Sequence, residues 1–244
     1  MPGKKWTFRR VFRTVWVTAG IVFMGWLFYS YQSHGVHKSL FQDSGSVRVE
    51  TTGDYYSFTP INEFNNVLIF FPGAMVDPKA YVPLCREIAE HDIQVYLIRM
   101  PWRQATKGYK KPLELGLLTD PSKIYTLAGH SQGGKMAAQF VYENPGRIDK
   151  LILIATSHPR DVSLADSPIP VRKIYGSEDG VADERSIMEN KSKLPLTTRF
   201  VRINGANHAQ FGYYGFQLGD NRADISREQQ QAETAKHMLE FIKE

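Results

Sequence analysis

The run Gly129-His130-Ser131-Gln132-Gly133-Gly134 sets a serine between two glycines, each two residues away. That spacing suits a sharp turn that lifts a hydroxyl clear of the backbone, at a point where a strand ends and a helix begins. Residues 124–128 read as the strand and 134–143 as the helix. A serine hydroxyl alone is a poor nucleophile; it needs a base to take its proton and an acid to orient that base. Both are expected after later strands, in the order acid then histidine. Asp179 follows a strand ending at Tyr175 through Gly176-Ser177-Glu178, and His208 follows a strand ending at Ile203 through Asn204-Gly205-Ala206-Asn207. Ser131, His208 and Asp179 are thus the expected nucleophile, general base and orienting acid. Charge developing on a carbonyl oxygen needs preorganised donors. One is expected from the Gln132 N–H at the helix N-terminus. The other is expected from the loop Phe71-Pro72-Gly73-Ala74-Met75, at the Ala74 N–H with Met75 as the fallback.

Competing assignments are weaker on residue type and spacing. Glu178 and Asp183 stand close to Asp179. His130 lies inside the turn, His158 lacks a matching turn after it, and His237 falls on an amphipathic helix face. Gly129 and Gly134-Lys135 imitate part of a phosphate-binding loop, but Met136 replaces the Ser or Thr that would hold Mg²⁺. The seven histidines show no metal-ligand spacing, and neither a metal nor a cofactor is expected.

The elements that must position these residues alternate. A hairpin at 47–50 and 55–59 precedes strands at 66–71, 93–99, 124–128, 150–156, 171–175 and 198–203. Helices are expected at 77–91, 112–118, 134–143, 182–192 and 226–243. Such alternation implies right-handed crossovers and an α/β fold, with a mostly parallel central sheet and helices on both faces. In such sheets ligands bind beyond the carboxyl ends of the strands, where all three expected catalytic residues fall. The connection 157–170 is too short for a sizeable cap domain, which leaves the mouth open and favours a small, compact acyl substrate. Met75, Trp102, Phe211 and Tyr213 are the expected apolar lining.

The chain has 244 residues, 42% hydrophobic and 23% charged, with a net charge of +5 and one cysteine, Cys85. This composition excludes disorder, a collagen-like repeat and a disulfide scaffold. Lys4, Lys5, Arg9, Arg10 and Arg13 account for the excess: without them 25 Lys and Arg face 25 Asp and Glu. A neutral domain gives no reason to expect a nucleic-acid partner. The cations precede an uncharged stretch, 14–31, whose length of about 27 Å nearly matches the roughly 30 Å core of a bilayer. Trp26, Tyr29 and Tyr31 gather at its far end. The expected layout is a cytoplasmic basic tail at 1–13, a signal-anchor at 14–31, a linker at 32–46 and an extracytoplasmic domain at 47–244 of a single-pass membrane protein. A cleaved signal peptide is the competing reading.

The segments Phe70 to Ala74, Gly129 to Gly134 and Gly205 to Gly212, with Gly219-Asp220 and the helix start at Ile225 to Glu228, resemble the α/β-hydrolase family. The resemblance is closest to a small, membrane-anchored branch of it with a GHSQGG elbow. It covers nearly everything from residue 50 onward and implies a Ser131, Asp179, His208 triad that hydrolyses a carboxylic ester or related acyl bond. Pro72-Gly73 stands where many lipase-like relatives carry His-Gly. Acyl transfer and amide hydrolysis use the same triad, while a catalytically silent surface binding module is expected to have a broken one.

Overall fold

The computed structural model describes residues 7–244; Lys4 and Lys5 of the basic tail lie outside them. The first element, α1 (Phe8–Ser30), has 23 residues. Its most apolar 18-residue window has a mean hydropathy of 1.6, and none of that window is buried against the rest of the chain. By length and composition it can cross a membrane.

Eight strands form one sheet: β1 (Val47–Thr51), β2 (Tyr55–Pro60), β3 (Asn66–Phe71), β4 (Ile93–Ile98), β5 (Ile124–His130), β6 (Lys150–Ile154), β7 (Val171–Gly176) and β8 (Arg199–Ile203). Their order is β1-β2-β4-β3-β5-β6-β7-β8. The β1–β2 and β2–β4 pairings are antiparallel and all others parallel. The helices that follow are α2 (Val82–Ala89), α3 (Lys111–Glu114), α4 (Gln132–Glu143), α5 (Glu184–Glu189) and α6 (Arg227–Lys243).

Strand periodicity divides the core in two. Along β3, Leu68 and Phe70 point to the face that also buries Ile88 of α2 and Met238 of α6. Val67, Ile69 and Phe71 point to the opposite face, against Met136 and Phe140 of α4. Both faces are covered, which explains why β3 reads as an unbroken apolar run. The closing helix starts at a reciprocal capping box: Ser226 Oγ accepts the Gln229 N–H, and the Gln229 side chain accepts the Ser226 N–H.

The expected helix at 77–91 is broken into a 3₁₀ turn, Pro78–Tyr81, and α2. Asp77 caps the first by accepting the Lys79 N–H at 3.0 Å, and Pro83, which has no N–H to donate, sits in the first turn of the second. The segment 32–46 lies against the domain. Val36, Leu40 and Phe41 pack on the core, and Arg86 Nη1 donates to Gln42 O at 2.8 Å. Between β6 and β7 the chain forms neither helix nor strand, so no cap covers the sheet's carboxyl edge there.

Candidate active site

Ser131 stands between β5 and α4 with φ 54° and ψ −118°, a conformation costing of order 1–3 kcal/mol for a non-glycine residue. The flanks hold it there. Its N–H donates to Ile154 O at 2.9 Å, continuing the β5–β6 ladder, while its carbonyl accepts the Lys135 N–H at 3.1 Å and opens α4. The two glycines are required by close approach. A Cβ on Gly129 would stand 2.3 Å from the Gly133 carbonyl carbon, and one on Gly133 would stand 2.1 Å from Phe71 O. Strand end, helix start and the loop after β3 meet at a spacing that only hydrogen permits.

Asp179 and His208 come from the loops after β7 and β8. The His208 ring is fully buried, with Nδ1 2.9 Å from Asp179 Oδ2 and 3.1 Å from Oδ1. Asp179 Oδ1 also accepts the N–H groups of Val181 at 2.9 Å and Ala182 at 2.7 Å. A carboxylate that accepts from so many donors is held in place. The competing acids are engaged elsewhere: Glu178 accepts from Ser177 Oγ, and Asp183 caps α5 through the Ser186 N–H.

Asp220, quoted above only for resemblance, bridges the two loops. Its Oδ1 accepts the Gly180 N–H at 3.2 Å and the His208 N–H at 3.1 Å, and its Oδ2 accepts the Ala209 N–H at 2.8 Å. Burial pushes its carboxyl upward, and the three N–H groups oppose that. From α6, Gln230 grips the preceding residue by accepting the Asn207 N–H at 3.1 Å and donating to Asn207 O at 2.7 Å.

His130 packs its ring 4.6 Å from that of His208. Burial and the neighbouring His208 hold it well below the ordinary histidine range, so it is neutral at physiological pH. Its Nδ1 lies 2.8 Å from the Tyr81 hydroxyl, which accepts the Gly73 N–H at 3.1 Å. Tyr81 thereby ties the loop after β3 to the serine turn. Among the described residues no hydrogen bond engages the N–H of Ala74 or of Gln132. The fallback donor is different: the Met75 N–H is committed to Arg103 O at 2.7 Å. The Gln132 side chain accepts the Ala105 N–H at 3.0 Å, bracing the turn against the loop after β4.

The sequence model of the alpha/beta hydrolase family matches residues 67–232, most of the folded domain and more than half of the chain. The chain belongs to the alpha/beta hydrolase family. A solved structure, Est1E from Butyrivibrio proteoclasticus, superposes with a TM-score of 0.58 at 15% identity, over 82% of this chain and 100% of that one. At that identity the likeness is one of fold. No curated protein matches the sequence closely enough to count as a relative.

In this hydrolase a cavity of about 260 Å³ opens at Ser131, walled by Gln132, Lys135, His158, Val181 and Ala182 among others. Its wall is more polar than the expected lining. Phe211 is fully buried in the core. Tyr213 borders a separate depression against α2 and α6. Met75 and Trp102 project outward from their loops. None of these four residues lines the cavity: Phe211 is buried in the 3₁₀ turn Ala209–Phe211, and the backbone at 75 and 102 is left-handed, with φ 63° and 54°. Lys135 is paired with Asp161 at 2.8 Å. His158 is lowered to about 4, by burial first and then by Lys135, so it too is neutral. Among the described residues no carboxylate hydrogen-bonds its ring, in contrast to the Asp179 carboxylate on His208. Among the described residues no group of three or more His, Cys, Asp or Glu side chains stands together to hold a metal.

Proposed function

We propose that the protein is a serine hydrolase that cleaves a carboxylic ester, or a related acyl bond, of a small substrate through an acyl-enzyme. The observation that carries this reading is the fully buried His208–Asp179 pair, packed against the turn that holds Ser131 in a strained backbone conformation. Asp179 fixes the proton on His208 Nδ1 and leaves Nε2 as the acceptor. That nitrogen is buried with no hydrogen-bond partner among the described residues, and the Ser131 hydroxyl is the group proposed to meet it. Catalytic hydrogen bonds of this kind commonly tighten only when substrate binds.

In the forward step Ser131 Oγ attacks the acyl carbon and passes its proton to His208 Nε2. The carbonyl oxygen, now negative, receives the N–H groups of Ala74 and Gln132. Collapse of the tetrahedral species expels the alcohol, which takes the proton from His208. Water then attacks the acyl-serine with His208 again as base, and the acid leaves. Asp179 stabilises the imidazolium in both halves, in a site where low dielectric strengthens each charge interaction.

We further read α1 as a membrane anchor, with the basic residues at and before its N-terminal end cytoplasmic and the domain outside, supported by its apolar length and by the clustering of cations at that end. Labelling of the detergent-solubilised chain with a fluorophosphonate, then turnover of ester, thioester and amide panels, tests the chemistry. Labelling at Ser131 with ester turnover supports it; no labelling and no turnover refute it.

A further inference from the structure

The C-terminal end of α1 is clamped by three loops, all from the carboxyl edge of the sheet. After β8, the Gly215 N–H donates to Ser30 O at 2.7 Å, Tyr213 O accepts the His34 N–H at 2.7 Å, and Ser30 Oγ donates to Phe216 O. Ser33 and Tyr214 pair as an isolated β-bridge. After β3, the Asp77 N–H donates to Tyr31 O at 2.9 Å. After β4, Arg103 Nη2 donates to Gln32 Oε1 at 2.9 Å and lies 3.6 Å from Asp77 Oδ2. A Cβ on Gly215 would come within 2.7 Å of Ser30 Oγ, so the approach admits no larger residue. A helix end tied at so many points has no swivel, and the direction of α1 fixes which side of the domain faces whatever α1 enters.

We propose that this carboxyl edge, which holds Ser131, Asp179 and His208, is seated on the surface of the phospholipid bilayer that α1 crosses, and that the substrate ester belongs to an amphiphile lying in that surface. This rests on the reading of α1 as a membrane span and of Ser131 as the nucleophile.

Depth can be read from the helix itself. Trp26 lies one turn before Ser30, about 6 Å along the axis. Its ring is 6.1 Å from that of Phe216, so this loop residue sits level with a point inside the span. Large apolar side chains are left in solvent elsewhere on this edge too: Met75 is 52% exposed, Trp102 86% and Leu218 59%, beside Phe216 itself at 49%. Trp102 and Arg103 both have φ 54°, a left-handed conformation unfavourable for bulky residues. The Met75 N–H to Arg103 O bond maintains it, and its outcome is a tryptophan displayed beside the helix exit. An amphipathic ring in that position gains a favourable environment in a headgroup layer and none in water. The cavity of about 260 Å³ takes a compact part of the ester, while the remainder of the amphiphile stays in the bilayer.

The test uses the full chain in phosphatidylcholine–phosphatidylglycerol vesicles, with the buried Cys85 replaced (Cys85→Ala) and a polarity-sensitive dye attached after Val22→Cys, Trp102→Cys, Phe216→Cys or Leu196→Cys. Leu196 is exposed just before β8, at the opposite edge. Severalfold stronger quenching at 102 and 216 than at 196 by shallow nitroxide lipids, with position 22 quenched by deep ones, is expected. Position 22 quenched while 102 and 216 behave like 196 overturns the seating of the edge and leaves the anchor standing. Failure of the chain to float with vesicles, with position 22 unquenched, overturns both. For the substrate, Phe216→Glu with Leu218→Glu is expected to lower severalfold the ratio of vesicle-borne to soluble ester turnover; an unchanged ratio removes the amphiphile claim.

Discussion

Asp220 holds the backbone of His208: its Oδ1 accepts the His208 N–H at 3.1 Å while the same oxygen accepts the Gly180 N–H at 3.2 Å. One buried carboxylate therefore sets the distance between the acid loop and the histidine loop. Asp220→Asn removes an acceptor from a site with four N–H donors, those of Gly180, His208, Ala209 and Asn221, and shifts His208 relative to Ser131. Displacements near 1 Å at a catalytic group cost about 10²-fold. A fall in kcat of roughly 10- to 100-fold is expected, with KM little changed and the Asp179–His208 pair still formed by NMR of the Nδ1 proton. Unchanged kcat would show that the bridge is only structural.

The proposed roles separate Asp179 from its neighbours. Asp179→Asn is expected to lower kcat about 10⁴-fold through loss of the His208 tautomer. Glu178→Gln and Asp183→Asn alter groups engaged with Ser177 and the start of α5, and leave kcat unchanged. Steady-state kinetics on one soluble ester compare all three.

Tyr81 carries a structural load visible only in its hydroxyl. In Tyr81→Phe the Gly73 N–H and His130 Nδ1 both lose their partner in the core, and stability falls by about 1–3 kcal/mol. Denaturant melts measure this. A Phe variant as stable as the parent contradicts the hydrogen-bond chain from Gly73 to His130.

Lys173 gives a pH signature. It is wholly buried in β7, its Nζ donating to His158 O at 2.7 Å, and burial lowers it from an ordinary 10.5 to about 7. Between those values the folded chain holds fewer protons than the unfolded one, so this group adds stability as pH rises. The contribution is complete above about pH 10.5 and is lost as pH falls toward and through 7. Lys173→Met flattens the rise between pH 7 and 10, measured as the difference in melting temperature from the parent. A constant difference across that range refutes the assignment.

The contrast between what the chain announces locally and what it does not follows from range. The β3 run and the Gly129–Gly133 turn are legible because burial on both faces and close backbone approach act on neighbouring residues. Asp179 and His208 were accessible because each falls just after a strand. Asp220 was not, since its partners lie 11 to 40 residues away and no local pattern marks it. The outward turn of Trp102 was equally hidden: Pro101-Trp102-Arg103 contains nothing that favours positive φ, and a bond from Met75 imposes it. The same bond takes the N–H of Met75, the fallback oxyanion donor. The segment 32–46, polar enough to read as a spacer, is held by Arg86 and by the loop that follows His208.

The assignment of Ser131 as nucleophile underlies every step proposed for the site. It is tested most directly by fluorophosphonate labelling and by the hydrolysis of a short-chain nitrophenyl ester, comparing the full chain with Ser131→Ala. The variant is expected to fold with an unchanged melting profile, to take up no label and to lose turnover by about 10⁴-fold or more. Equal labelling of both proteins, or turnover retained within about tenfold, would contradict it.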